Sequence, residues 1–455
     1  MPFFDYSFLF IFLPATLLIY CVVPRSLRNP WLFLASCLFY AVSSFKYLPL
    51  LVGAGIANYF LGYFQSRSQT ISRRRFYLTL GIVLNLSLLG FFKYSGMFSE
   101  TLRLIPALSS FPLIKQALPL GISFYTFKNI SYIVDIYRGD IEASHSFWDY
   151  LAYLTMFPQL QAGPIMRFKE ISGQIRQNSP GVKKFTEGLE LFLVGICKKV
   201  LLADTAAFFA DPLFSLGNPG FYQAWASVFL YSAQIYFDFS GYSDMAIGLA
   251  MMFGFESPQN FNSPYKAITF SDFWRRWHMT LSRWLRDYLY IPLGGNRKGN
   301  GRTYINLIIT MLLGGLWHGA SWNFIVWGGY HGALLMAERY LGIALPQTRL
   351  GKAVRITFNF IMVSIGWVFF KCSIFSQSLT WLKSMFFVNG AGSLFSLKAG
   401  AALVVLLTVI FGFKNSWQLR GYYRLLWIIC IISFFLLSLL VAYTKGAEPF
   451  LYARF

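Results

Sequence analysis

Chemistry is first suggested by a histidine framed by glycines inside an apolar run. The segment is Gly314-Gly315-Leu316-Trp317-His318-Gly319-Ala320, between the apolar stretches 304–316 and 322–341. An ionisable side chain at membrane depth costs on the order of a few kcal/mol unless it lines a cavity or meets a partner. A neutral imidazole in such a place offers proton transfer. His318 is therefore the leading candidate functional residue. The chain has only 4 histidines, so each can be weighed singly. His145 precedes an aromatic run in a loop and reads as incidental. His331 follows His318 by thirteen residues. On an unbroken helix that spacing turns it about 220° away at 100° per residue, so it reads as a hydrogen-bonder in helix packing.

His278 is the second candidate. It lies in Asp272-Phe273-Trp274-Arg275-Arg276-Trp277-His278-Met279-Thr280-Leu281-Ser282-Arg283-Trp284-Leu285-Arg286-Asp287-Tyr288. Helical spacing gathers Trp274, Trp277, His278, Leu281, Leu285 and Tyr288 on one face and Arg276, Arg283 and Arg286 on another. Two placements suit such a helix. One is interfacial, with its aromatic face in lipid and its arginines among headgroups. The other is at a funnel mouth, with His278 inward and the arginines meeting a phosphate-bearing donor such as coenzyme A. The basic loop Ile291-Pro292-Leu293-Gly294-Gly295-Asn296-Arg297-Lys298-Gly299-Asn300-Gly301-Arg302 follows. Its glycines can aim backbone N–H groups at a phosphate, and it serves equally as a cytosolic connector.

Further upstream, Asp238 and Asp244 flank Ser240 and Ser243 in an apolar stretch, and Lys198-Lys199 precede Asp204. Buried carboxylates need partners. Pairing with Lys199 or Arg275 is the expected role here, since no Ser–His–Asp order is readable. The 5 cysteines lie in or beside apolar runs without metal-like spacing, so neither a disulfide framework nor a metal site is expected.

The elements that must position these residues are membrane helices. The chain is 56% hydrophobic and 13% charged, against about 25% charged in soluble domains. Apolar runs recur at 7–24, 31–46, 47–64, 77–93, 118–137, 188–210, 221–252, 304–318, 321–342, 354–371, 398–413 and 423–443. They predict ten to twelve helices, some tilted or re-entrant. No basic segment precedes the first run and no small-residue cleavage site follows it, which predicts a transmembrane helix rather than a cleaved leader. Stretches 145–187 and 256–303 mix aromatics, prolines and bases and are candidates for a central funnel. With no repeat or soluble linker, residues 1–455 read as one integral domain, with a core over 118–342 and C-terminal helices over 353–455.

The formal net charge is +21. Because the bases fall between apolar runs, they indicate topology and anionic lipid headgroups rather than nucleic acid. Arg25 and Arg28, then Arg67, Arg73, Arg74 and Arg75, occupy alternate loops. This places the N-terminus outside and the Arg-rich loops in the cytoplasm.

Taken together, the motifs resemble the membrane-bound O-acyltransferase family, on its alginate O-acetyltransferase branch. The matching residues are Leu118-Pro119-Leu120-Gly121-Ile122-Ser123-Phe124, Val134-Asp135-Ile136-Tyr137-Arg138-Gly139, Phe157-Pro158-Gln159, Ala162-Gly163-Pro164-Ile165 and the stretch from Tyr236 to Ala246. They continue through Asn262-Ser263-Pro264-Tyr265, the segment from Trp274 to Tyr288, Gly294-Gly295-Asn296-Arg297, Gly315-Leu316-Trp317-His318-Gly319, Gly366-Trp367-Val368-Phe369-Phe370 and Pro449-Phe450-Leu451-Tyr452. The resemblance implies an all-helical membrane fold around a tunnel joining a cytoplasmic funnel to the outer face. It matches His318 to the family's catalytic histidine and His278 to its second functional position. It implies an enzyme of the bacterial cytoplasmic membrane with no permanently bound cofactor. Acetyl-CoA or another acetyl thioester is the expected donor. A periplasmic partner with a serine-hydrolase-like site and a polysaccharide acceptor are the expected recipients. Trp274, Arg275, Arg276, Trp277, Arg283, Asn296, Arg297, Trp317 and Trp322 are the expected substrate contacts, with Trp317 and Trp322 walling the site. D-alanyl transfer, lipid acylation and transport are the alternatives.

Overall fold

In a computed structural model the described residues are 2–177, 180–342, 345–387, 389–421, 425–445 and 449–451, and they are helical with no strand among them. Each of the twelve apolar runs carries a helix, as a backbone in lipid requires when it must satisfy its own hydrogen bonds. The last run begins outside the described residues, as does Tyr452 of the tail motif.

Four helical stretches among the described residues are long and apolar enough to cross a bilayer: Arg25–Arg67, Ile71–Leu102, Arg349–Lys371 and Leu425–Thr444. Phe8–Val22 and Leu397–Gly412 are apolar but shorter. The other runs are less apolar because they face protein. Ile122–Arg138 buries Lys128 and Asp135, and Phe221–Met252 buries Gln234, Asp238 and Asp244.

The chain packs as two compact units, Met1–Phe192 with Met245–Pro258 and Leu193–Asp244 with Gln259–Phe455. In the first, Leu48–Arg67, Ile71–Leu89 and Ile122–Arg138 pack together. A buried polar chain ties them: Asn85 donates to Asn58, Asn129 to Asn85, and Tyr150 to Asn129. Lys128 donates to the carbonyls of Tyr153 and Leu154 at the end of the helix Phe147–Thr155.

The second unit holds both candidate histidines. The helices Gly299–His318 and Trp322–Leu341 form a close pair, and Arg349–Lys371 packs on the latter. Two glycines set how closely the pair approaches. A Cβ on Gly315 would collide with the carbonyl oxygen of Phe324 and lie 3.1 Å from the backbone of Gly328. A Cβ on Gly328 would collide with the carbonyl of Met311. Small residues at such crossings let membrane helices pack backbone to backbone.

Candidate active site

His318 ends the helix Gly299–His318, where Gly319 takes up extended backbone. The side chain is buried. Its ring centroid lies 5.1 Å from Trp317, 5.1 Å from Trp327 and 5.4 Å from Phe370. A Cβ at 319 would collide with the Phe324 ring, so only glycine fits directly after the histidine, and the three aromatic rings shield the imidazole from bulk water.

The expected single amphipathic helix over 272–288 is broken at its middle. Phe270–Arg276 is helical, Trp277 is extended, His278 is left-handed at φ 42 and ψ 53, and a new helix runs over Met279–Leu285. In an unbroken helix the N–H of Thr280 would donate to the carbonyl of Arg276. Here the Arg276 carbonyl accepts from Asn262 N–H at 2.9 Å, Met279 N–H donates to the Asn260 carbonyl at 2.9 Å, and Thr280 N–H donates to the Asn260 side chain at 3.2 Å. The preceding loop therefore takes the groups that helix continuation would have used. Trp274, Trp277 and His278 consequently do not share one helical face.

The break brings the two histidines together. The His278 ring centroid is 6.3 Å from His318, 5.9 Å from Trp317 and 4.7 Å from Phe239. His278 is fully buried, and its Nδ1 lies 3.2 Å from the carboxamide oxygen of Asn260.

A cavity of about 240 Å³ reaches His318. Leu281, Leu285, Met311, Gly314, Trp274 and Trp327 give it an apolar wall, while Ser282, Arg286, Tyr290 and Thr310 add polar groups. An apolar pocket with a few convergent polar groups is the usual form of a small-molecule site. Arg286 is exposed at the cavity lining, where it pairs with Asp287 at 2.8 Å.

Other expected contacts lie further out. Trp322 starts its helix and is 53% exposed, so it does not wall His318. Trp327, more than one turn later on the same helix, does so instead. Trp277 is buried against Trp367 at 4.9 Å. Arg275 is exposed and its nearest acid is Asp272 at 4.0 Å, while Arg276 is held by Asp272 at 2.9 Å. Arg283 is half-buried on the helix Met279–Leu285. Asn296 and Arg297 are exposed in the turn before the helix Gly299–His318. At 1.5 Å per residue that turn is about 30 Å along the helix from His318, so no single small group can touch both.

His331 is buried between Trp274 and Trp327, at 5.2 and 4.9 Å. It packs as expected, but neither ring nitrogen has a hydrogen-bond partner among the described residues. The turn of about 220° between His318 and His331 does not apply, because they lie on separate helices with extended backbone at Gly319 and Ser321 between them. His145 pairs with Glu142 at 3.3 Å on the surface.

The buried acids are partnered by lysines. Lys199 lies 2.7 Å from both Asp204 and Asp238, and Lys198 lies 2.7 Å from Asp244. Pairing with Lys199 thus matches expectation and pairing with Arg275 does not. Asp238 also accepts from the Leu451 N–H at 2.9 Å.

Sequence reading missed Asn260, Phe370 and Trp327 as neighbours of the histidines. Asn260-Phe261-Asn262 stands eighteen residues before His278, and no periodicity links the two. Trp327 was legible only as one tryptophan among several.

The membrane-bound O-acyltransferase family matches this chain over residues 141–378, a span that contains both histidines and Asn260. The chain is 45% identical to a probable alginate O-acetylase of Pseudomonas aeruginosa, over 85% of this chain and 75% of that one. It is 38% identical to a peptidoglycan O-acetyltransferase of Helicobacter pylori, over 98% of this chain and 96% of that one. It is 29% identical to a teichoic acid D-alanyltransferase of Streptococcus thermophilus, over 54% of this chain and 66% of that one. This chain belongs to the membrane-bound O-acyltransferase family and is a membrane O-acyltransferase.

Proposed function

We propose that the enzyme takes an acetyl group from a cytoplasmic thioester, acetyl-CoA or another acetyl thioester, and passes it across the membrane for O-acetylation of an exported polysaccharide of the alginate type. The observation that carries this reading is the pairing of His318, which lines the cavity, with the buried His278 behind it, 6.3 Å between rings. His318 serves as general base. As the acceptor oxygen attacks the thioester carbonyl, His318 takes the hydroxyl proton; the C–O bond forms, the C–S bond breaks, and the proton passes to the leaving thiolate. His278 orients the acetyl donor. Trp317, Trp327 and Phe370 keep water from the thioester.

The donor's phosphates meet cations at the cytoplasmic end. Arg286 at the cavity supplies one of them, and Arg275, Arg276, Arg283, Asn296 and Arg297, further from His318, are the other contacts of this reading. The acceptor hydroxyl belongs to a periplasmic partner with a serine-hydrolase-like site, which then modifies the polysaccharide. The enzyme resides in the bacterial cytoplasmic membrane with its N-terminus outside. The 45% identity to a probable alginate O-acetylase supports this substrate class over D-alanyl transfer, whose relative is 29% identical over about half the chain.

The test is His318→Ala in the native host, with membrane abundance confirmed and ester-linked acetate measured on the purified surface polysaccharide. Loss of a general base costs about 10²–10⁴ in rate, so acetate should fall to background at normal protein level. Unchanged acetate would remove His318 from the reaction.

A further inference from the structure

Asn260 and His278 are both fully buried, eighteen residues apart in sequence. The carboxamide oxygen of Asn260 accepts from the main-chain N–H of Thr280 at 3.2 Å and from the Thr280 hydroxyl at 2.9 Å. A main-chain N–H can only donate, so the carboxamide atom facing it is the oxygen, not the nitrogen. The Nδ1 of His278 lies 3.2 Å from that same oxygen. A bare Nδ1 would set lone pair against lone pair there, so Nδ1 carries the proton. In a neutral imidazole Nε2 is then the acceptor. That Nε2 is buried and has no hydrogen-bond partner among the described residues.

The backbone points to the same residue. His278 is one of three non-glycine residues with positive φ among those described. A left-handed conformation at a β-carbon-bearing residue persists only where the surroundings over-determine it. Here Asn260 does so twice, accepting from Met279 N–H on its carbonyl and from Thr280 N–H on its side chain.

We propose that Asn260 is a positioning residue for acyl transfer. It locks the left-handed turn at His278 and holds the imidazole as the Nδ1–H tautomer, so that a bare Nε2 is presented beside His318. The ligand for Nε2 is a hydrogen-bond donor of the substrate pair, a hydroxyl or an amide N–H of the thioester arm. This rests on the reading that His278 works in the site, but the tautomer is measured without turnover.

The experiment uses full-length protein labelled with ¹⁵N-histidine in lipid bilayers, examined by magic-angle-spinning NMR. His278 is assigned by the signal lost in His278→Asn, since Asn tolerates the left-handed region. Wild type should show protonated Nδ1 and bare Nε2 at His278. Asn260→Ala should lose the fixed Nδ1 proton and lower kcat by about tenfold or more, with KM for the thioester little changed. Asn260→Asp keeps an acceptor and should retain the Nδ1 proton. A wild-type proton on Nε2, or an unchanged Nδ1–H signal in Asn260→Ala, would overturn the proposal. If Asn260→Ala does not fold, wild type and Asn260→Asp still decide it. Full turnover by His278→Asn with the expected wild-type tautomer would instead remove His278 from the reaction.

Discussion

Lys199 shows how one side chain can hold a charged interior together. It sits between Asp204 and Asp238, 2.7 Å from each, and Asp238 in turn anchors the Leu451 N–H. Removing one member of a buried ion group is worse than never having had it, because the remaining charges stay desolvated without a partner. Lys199→Met should therefore destabilise the protein by about 3–5 kcal/mol. Thermal unfolding in detergent measures this. Adding Asp204→Asn and Asp238→Asn to Lys199→Met should recover part of the loss, since no unpaired carboxylate remains. If the single variant melts like wild type, the cluster is not what stabilises this part of the chain. The four histidines make the complementary point. One type of residue becomes a surface partner of Glu142 at 145, a ring packed edge-on against Trp327 at 331, and two neighbouring tilted imidazoles at 278 and 318. What separates them is the surrounding chain.

At the scale of elements, the position of His318 depends on the glycine contact behind it. Gly315 and Gly328 let the helices Gly299–His318 and Trp322–Leu341 meet backbone to backbone. Gly328→Ala would drive a methyl into the Met311 carbonyl and push the helices apart. Overpacking of this kind costs about 1–3 kcal/mol, and it should also shift Trp327 against His318. The expected result is a lowered kcat per folded molecule, checked by thioester turnover normalised to the protein that survives size-exclusion. Unimpaired turnover would show that the spacing tolerates a methyl. The helices themselves were legible because composition alone dictates them: every apolar run became helical, since the backbone has no other way to satisfy itself in lipid. The break at Trp277-His278 was not legible. Its residues have good helical periodicity, and the helix is interrupted by hydrogen bonds from Asn260 and Asn262, which are remote in sequence. The choice of Trp327 over Trp322 as a wall of the site was hidden for a related reason. Both lie on one helix, and only packing decides that Trp322 is outward and Trp327 inward.

For the whole molecule, charge and helix length together give the proposed transfer across the bilayer a geometry that can be tested. The net charge of +21 is carried between apolar runs. Arg297, Lys298 and Arg302 precede or open the helix Gly299–His318, Arg339 lies at the end of Trp322–Leu341, and Arg349, Lys352 and Arg355 open Arg349–Lys371. Three successive helices thus have their basic ends at the same two connections, the arrangement the positive-inside rule assigns to the cytoplasm. The helix Gly299–His318 has 20 residues, about 30 Å at 1.5 Å per residue, which matches a hydrocarbon core of about 30 Å. A donor bound by the basic end and a base at the other end would then divide the transfer between the two faces. Asn300 is exposed in the first turn of Gly299–His318, and Leu394 is 75% exposed just before the helix Leu397–Gly412. In a background with all five cysteines replaced, a membrane-impermeant maleimide should label Asn300→Cys in inverted vesicles and not in intact cells. Leu394→Cys should give the opposite pattern. Labelling of both from one side would overturn the placement of the two connections on opposite faces, and the reverse assignment would place His318 nearer the donor compartment. The acetyl group would then have to leave the site before crossing.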